Sequence, residues 1–169
     1  MYKAYKYRIY PTSEQETLLA KSFGCARWFW NYALNLCQET YKNTGKGLSR
    51  GYIQGLLTAL KKEYEWLKDP YSQCLQVVAL NWSTAYKNFF DKRARLPRFK
   101  SKHSRQSIGY PQNVKFDGDS INLPVYWIST LSASPKLWGW SKLSLCLEIL
   151  MENILFPFEL TMAKLILSQ

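Results

Sequence analysis

A chain of 169 residues, 47% of them hydrophobic, can bury one core but is short for two full domains. Its 23 Lys/Arg against 12 Asp/Glu leave a net charge of +11, and 16% of the residues are aromatic, a balance that points to a nucleic-acid partner rather than an acidic small molecule. The single histidine, His103, excludes two-histidine metal sites and His–His acid–base pairs, and Cys25, Cys37, Cys74 and Cys146 are too dispersed for paired zinc ligands. The first residues carry no apolar run of secretory type, and no stretch of 18 uncharged apolar residues occurs, so a cytoplasmic protein with reduced thiols and no membrane partner is expected.

The first segment alternates: Tyr5, Tyr7 and Ile9 share one face, and Ala4, Lys6 and Arg8 the other. Period two with aromatic residues predicts a strand over 2–10, ended by Pro11, with a basic polar face. Thr12 and Gln15 have capping-box spacing, and Glu14 and Glu16 complement the positive end of the helix that should follow. Leu19, Phe23, Ala26, Trp30, Ala33 and Cys37 recur at steps of three and four, the stripe of a helix facing a core, and Asn43, Gly45 and Gly47 close it in a loop. A second helix is predicted over 49–67, with Ile53, Leu56, Leu60, Tyr64 and Leu67 inward. A third begins at Asp69-Pro70 and runs to 93, with Leu75, Val78, Trp82, Ala85 and Phe89 inward. Three amphipathic helices with short connections form a small bundle.

From Lys92 to Arg105 the composition changes. Lys92, Arg93, Arg95, Arg98, Lys100, Lys102 and Arg105 fall within fourteen residues that contain no acid, and Pro97 rules out one continuous helix. A solvated loop is one reading of this segment; a polyanion site is the other, since bound phosphate relieves the mutual repulsion of so many like charges. Val114, Phe116, Ile121 and Leu123 then alternate around Asp117-Gly118-Asp119, a hairpin. The order is therefore strand, helices, basic connector, hairpin: an α+β fold with a helical block inserted into a β-rich part, in which the 2–10 strand should pair with the strands of the 107–123 region.

These residues resemble the start of the TnpB (OrfB) proteins of insertion sequences, relatives of the type V CRISPR effectors. The resemblance rests on Tyr-Lys-Tyr-Arg-Ile-Tyr-Pro-Thr at 5–12, Phe-Gly-Cys-Ala-Arg at 23–27 with Trp30-Asn31-Tyr32, and Tyr-Lys-Asn-Thr-Gly-Lys-Gly-Leu at 41–48. It continues in order through Thr-Ala-Tyr-Lys-Asn-Phe-Phe at 84–90, Leu-Pro-Arg-Phe-Lys-Ser-Lys at 96–102 and Val-Lys-Phe-Asp-Gly-Asp-Ser-Ile-Asn-Leu-Pro at 114–124. It implies a wedge-like β-barrel, here partial and formed by 1–12 and 106–124, interrupted by an antiparallel helical recognition lobe over 13–105 that includes a helix-turn-helix. Together these would hold a guide RNA and its duplex with target DNA. Cleavage in the family belongs to a downstream RuvC-like domain with magnesium, followed by a zinc ribbon. No carboxylate of this chain matches those catalytic positions, so no catalytic residue, metal ligand or cofactor is carried over and no enzymatic activity is expected.

Physical reasoning selects the residues that would meet phosphate: Lys6 and Arg8 on the first strand, Arg27 on the first helix, and Lys92, Arg93, Arg95, Arg98, Lys100, Lys102 and Arg105. Tyr86 and His103 are candidates for stacking on a base, with core packing the competing role for Tyr86. A stand-alone DNA-binding regulator of the mobile element is the alternative function. A protein–protein adaptor is disfavoured by the charge, and scattered acidic residues disfavour an intact nuclease.

The charge ends abruptly. Residues 1–124 hold 20 Lys/Arg and 9 Asp/Glu, whereas 125–169 hold three of each in a mostly apolar run. A frameshift near position 125 would explain this. Codons permitted for 151–169, with each triplet started on its third base, can encode Gly-Lys-Tyr-Phe-Val-Ser and a charged continuation similar to the family's next strands. The tail is then expected to be aberrant and poorly packed, with apolar helical stretches between Leu143 and Leu167.

Overall fold

A computed structural model describes residues 3–8, 10–117, 120–124, 126–129, 145–151 and 161–167. Side chains before residue 10, at 116–120 and after 124 lie outside that description, as do residues 118–119, 130–144 and 152–160 altogether. The chain divides into two compact units: a β unit of residues 1–23 with 105–169, and a helical unit of 24–104.

In the β unit, β1 (Lys3–Arg8) leads through Pro11 into the first turns of α1 (Ser13–Thr44). The predicted capping box is present: the Thr12 N–H donates to Gln15 Oε1 at 2.8 Å, and the Gln15 N–H donates to Thr12 Oγ1 at 3.4 Å. After the helices come β2 (Gln106–Tyr110), β3 (Lys115–Asp117), β4 (Ser120–Leu123), β5 (Tyr126–Ser129), β6 (Leu145–Met151) and β7 (Thr161–Leu167). They form two open antiparallel sheets, one ordered β1-β7-β6-β2 and one ordered β3-β4-β5. The predicted hairpin is β3–β4, with Asp117 opposite Ser120. Val114, Ile121 and Leu123 are buried, as period-two burial requires.

Two expectations are corrected here. The strand at 3–8 shares a sheet with 106–110 but does not pair with it; β6 and β7 stand between them. The apolar stretches expected as helix at 145–151 and 161–167 are strands instead. The physical reason is common to both. Short, mostly apolar stretches can pair as strands as readily as they coil into helix, and neither β1 nor β2 is stable without a partner along its length. The register aligns Tyr5, Leu165, Leu147 and Tyr110 in one cross-strand row, and Lys6, Lys164, Glu148 and Gly109 in the next. Glu148 thus stands opposite Lys164 in the register.

In the helical unit, the continuation of α1, then α2 (Arg50–Glu63), a 3-10 turn (Glu65–Lys68) and α3 (Ser72–Phe90) enclose one core. Phe29, Ile53, Leu67, Leu75 and Ala79 are fully buried in it. Each large side chain removed from water contributes about 1.5–3 kcal/mol. Ser49 caps α2, its Oγ accepting the Tyr52 N–H at 3.2 Å. Gly45 ends α1 with φ +70, a left-handed conformation suited to glycine, and its N–H reaches the Tyr41 carbonyl.

The helix predicted over 49–67 breaks at Tyr64, whose backbone is extended (φ −113, ψ 96). That break brings the Tyr64 ring within 5.0 Å of Trp28 and 5.8 Å of Trp66, and it seats Leu67 in the core. Aromatic packing and one buried leucine outweigh the helical hydrogen bonds given up. On α2, Leu57 is buried where Leu56 was expected, and Leu56 packs at the margin.

Candidate nucleic-acid interface

The basic connector is an extended segment pinned along α1 by its backbone. Trp30 donates its indole N–H to the Arg98 carbonyl at 3.0 Å. Asn31 makes a two-way clamp: its Nδ2 donates to the Lys100 carbonyl at 2.9 Å and its Oδ1 accepts the Lys100 N–H at 2.8 Å. Pro97 is buried, and the Lys100 ammonium sits 4.3 Å from the centre of the Trp30 ring. Two side chains of one helix thereby satisfy the polar backbone of a segment that has no partner strand.

The entry to the connector is equally defined. The Lys92 N–H donates to the Phe89 carbonyl at 3.0 Å and the Arg93 N–H to the Asn88 carbonyl at 2.8 Å, the Schellman pattern at the end of α3. Lys92 occupies its left-handed position with φ 59, where glycine is usual. Farther on, Ser104 closes a turn by donating its N–H and its hydroxyl to the Ser101 carbonyl at 3.3 and 2.9 Å.

With the backbone held, the charged side chains are displayed. Lys92, Arg93, Arg95, Arg98, Lys102, His103 and Arg105 are exposed, and Lys100 is half-buried. Arg93 is ion-paired with Asp91 at 2.7 Å, so part of its charge is already compensated. Arg27 is half-buried on α1. Lys6, Arg8 and Arg105 belong to the β unit and the other seven candidates to the helical unit. The side chains of Lys6 and Arg8 lie outside the described residues.

Of the two stacking candidates, His103 is exposed, whereas Tyr86 is half-buried, with its ring 4.9 Å from Trp82 and 6.3 Å from Phe90. Burial and a hydrogen bond with the Cys37 thiol hold the Tyr86 hydroxyl well above the ordinary tyrosine range. Tyr86 therefore stays neutral and packs at the edge of the core. Trp30 and Asn31, which position the connector, were not among the predicted site residues. Their signal was present, since both stand in the motif at 30–32, but a side chain that binds a backbone carbonyl leaves no periodicity in its partner.

Among the described residues no group of three or more His, Cys, Asp or Glu is close enough to hold a metal ion. No helix among them is long and apolar enough to cross a membrane.

Comparison with known proteins places this arrangement. Residues 1–46 match the helix-turn-helix domain model of the OrfB insertion-sequence proteins. The chain is 36% identical over 142 residues to the candidate RNA-guided DNA endonuclease InsQ of Escherichia coli, a match covering 83% of this chain and 33% of InsQ. It is 38% identical over 115 residues to a candidate RNA-guided DNA endonuclease of Streptomyces pristinaespiralis, covering 66% of this chain and 29% of that protein. A third relative, the virulence protein VsdF of Salmonella dublin, is 35% identical over 116 residues, covering 62% of this chain and 98% of VsdF. The chain thus spans about a third of the two endonuclease relatives and nearly all of the shorter one. With the OrfB model matched at its N-terminus and these relatives matched over 62–83% of its length, the chain belongs to the TnpB (OrfB) family of insertion-sequence proteins.

Proposed function

We propose that this chain is the nucleic-acid-binding part of a TnpB-like RNA-guided DNA endonuclease, holding a guide RNA and its duplex with target DNA, and that these residues by themselves bind without cutting. The observation that carries the reading is the connector at 92–105, seven basic residues on a backbone fixed by Trp30 and Asn31. A protein that follows a guide–target duplex reads its phosphates and shape rather than its sequence, and a preset row of cations suits that task. On this reading the helical unit is the recognition lobe, a helical bundle. The strands within 1–12 and 106–124 are the wedge-like β part, and Lys6, Arg8 and Arg105 add phosphate contacts beside it. The setting is cytoplasmic.

A stand-alone regulator would need a recognition helix delivered by a tight turn. Residues 13–44 run as one unbroken helix, so a turn-delivered recognition helix would have to be α2 or α3. Residues 125–169 are proposed to derive from a shifted frame. The nucleotide sequence beyond codon 120 tests this: the shifted frame should stay open and encode charged, nuclease-like sequence, and stop codons throughout it would overturn the frameshift.

The test of function is fluorescence anisotropy of the purified chain with the element's own structured RNA, a single-stranded DNA and a duplex DNA. RNA or single strand should bind in preference to duplex, with strong salt dependence. Preference for a specific duplex site would favour the regulator instead. Guide-dependent cutting of a DNA target in magnesium would overturn the absence of nuclease activity.

A further inference from the structure

The helical unit contains a cavity of about 390 Å³ between α1, α3 and the connector, within the size range of small-ligand pockets. Its walls are aromatic: Tyr41 from α1, and Trp82, Tyr86, Phe89 and Phe90 from α3, with Gln38 contributing an amide. Trp82 is 2% exposed, whereas Tyr41 and Phe90 are 62% and 72% exposed, so buried indole lies at one end of the wall and open rings at the other. The buried Trp82 indole N–H has no acceptor among the described residues.

Cations surround this lining along the chain. Lys42 follows Tyr41, Lys46 precedes Gly47, Lys87 follows Tyr86 and Arg95 precedes Leu96, and all four are exposed. Of the acids next to this lining in the chain, Asp91 is paired with Arg93 at 2.7 Å, and Glu39 accepts from the Asn35 amide and keeps its charge, so the four cations outnumber it. An apolar cavity with exposed rings in its wall, and with exposed basic residues next in sequence to each lining segment, suits a flat, hydrogen-bonding group carried on a phosphate chain. An apolar peptide or a lipid tail would have no use for the cations.

We infer that this cavity takes an unpaired nucleobase of the bound strand, stacked on Phe90 and Tyr41, while the neighbouring lysines and arginines hold the adjacent phosphates. The inference rests on the nucleic-acid-binding reading above and adds a specific place for one base. A carbonyl or ring nitrogen of that base would meet the donors of Gln38 and Trp82. Phe90 and Tyr41 are exposed, so their replacement leaves the core intact.

The experiment uses the full chain and single-stranded ribo- and deoxyribo-oligonucleotides carrying one 2-aminopurine, whose fluorescence falls on stacking. Binding to the wild type should quench the probe. Phe90→Ala and Tyr41→Ala should each weaken binding by about tenfold and abolish the quench, with the salt dependence of affinity unchanged and Phe90→Tyr restoring both. Comparing the two sugar types identifies which strand supplies the base. Wild-type binding with no quench, or with affinity equal to the alanine variants, would overturn the cavity and leave the general function standing. Failure of the wild type to bind any oligonucleotide would overturn both. A change in sedimentation by Phe90→Ala at constant oligonucleotide affinity would assign the cavity to a second copy of the chain and overturn the inference.

Discussion

Trp30 donates its indole N–H to the carbonyl oxygen of Arg98, 3.0 Å away and 68 positions along the chain. With the Asn31 clamp on Lys100, this contact makes the basic segment a fixed ledge on the helical unit. Trp30→Phe keeps most of the ring's packing but leaves the carbonyl without its donor, and Asn31→Ala removes two hydrogen bonds. Each change should cost about 1–2 kcal/mol of stability in urea unfolding. Asn31→Ala should also raise amide exchange at Lys100 by about tenfold. Nucleic-acid affinity should fall in both variants with little change in salt dependence, because the cations remain and only their preorganisation is lost.

The displayed cations should set the salt dependence. Removing Arg93, Arg95, Arg98 and Lys100 together, each to Ala, should flatten the log–log slope of affinity against salt by about two to three units for a single strand, at about 0.7 per phosphate contact. Arg93→Ala alone should contribute less than Arg95→Ala, since Asp91 already compensates Arg93. An unchanged slope in the quadruple variant would remove the connector from the interface.

Lys92 is held at φ 59 at the end of α3. A side chain in the left-handed region is strained by roughly 1–2 kcal/mol where glycine is not. Lys92→Gly should therefore raise stability by about 1 kcal/mol, read as a higher urea midpoint, while it weakens phosphate binding by one contact. A lower midpoint would mean that the Lys92 side chain contributes more to the fold than the strain costs.

Burial raises the Cys74 thiol from its ordinary 9.0 to about 12. Burial, then the nearby Asp69 carboxylate, raises Cys25 to about 11. The unfolded chain loses these protons near pH 9.0, whereas the folded chain keeps them, so the associated stability is complete below about pH 9 and is lost as pH rises through 11 and 12. Tyr86 acts in the same direction, and Lys61, lowered by burial, in the opposite one. Urea midpoints should hold from pH 7 to about 9 and then decline, and Cys74→Ala should shallow the decline. A steeper decline in that variant would contradict the assignment.

Local chemistry determined much of this protein. The capping box at Thr12 and Gln15, the stripe from Leu19 to Cys37 and the hairpin around residue 117 depend on neighbours within a few positions, and each was legible without the fold. The charge concentrated in 92–105 was equally plain, because charge needs no partner to be counted. Only the tertiary structure decided that Trp30 and Asn31 fix this segment, that Tyr64 leaves the helix to pack against Trp28, and that β7 rather than the 107–123 region pairs with β1. Each of those choices is a competition among distant partners. A backbone carbonyl at Arg98 is chemically the same as any other in the chain, and apolar strands accept several registers until a sheet closes around them. Sequence therefore located the cations, and packing set the backbone that displays them.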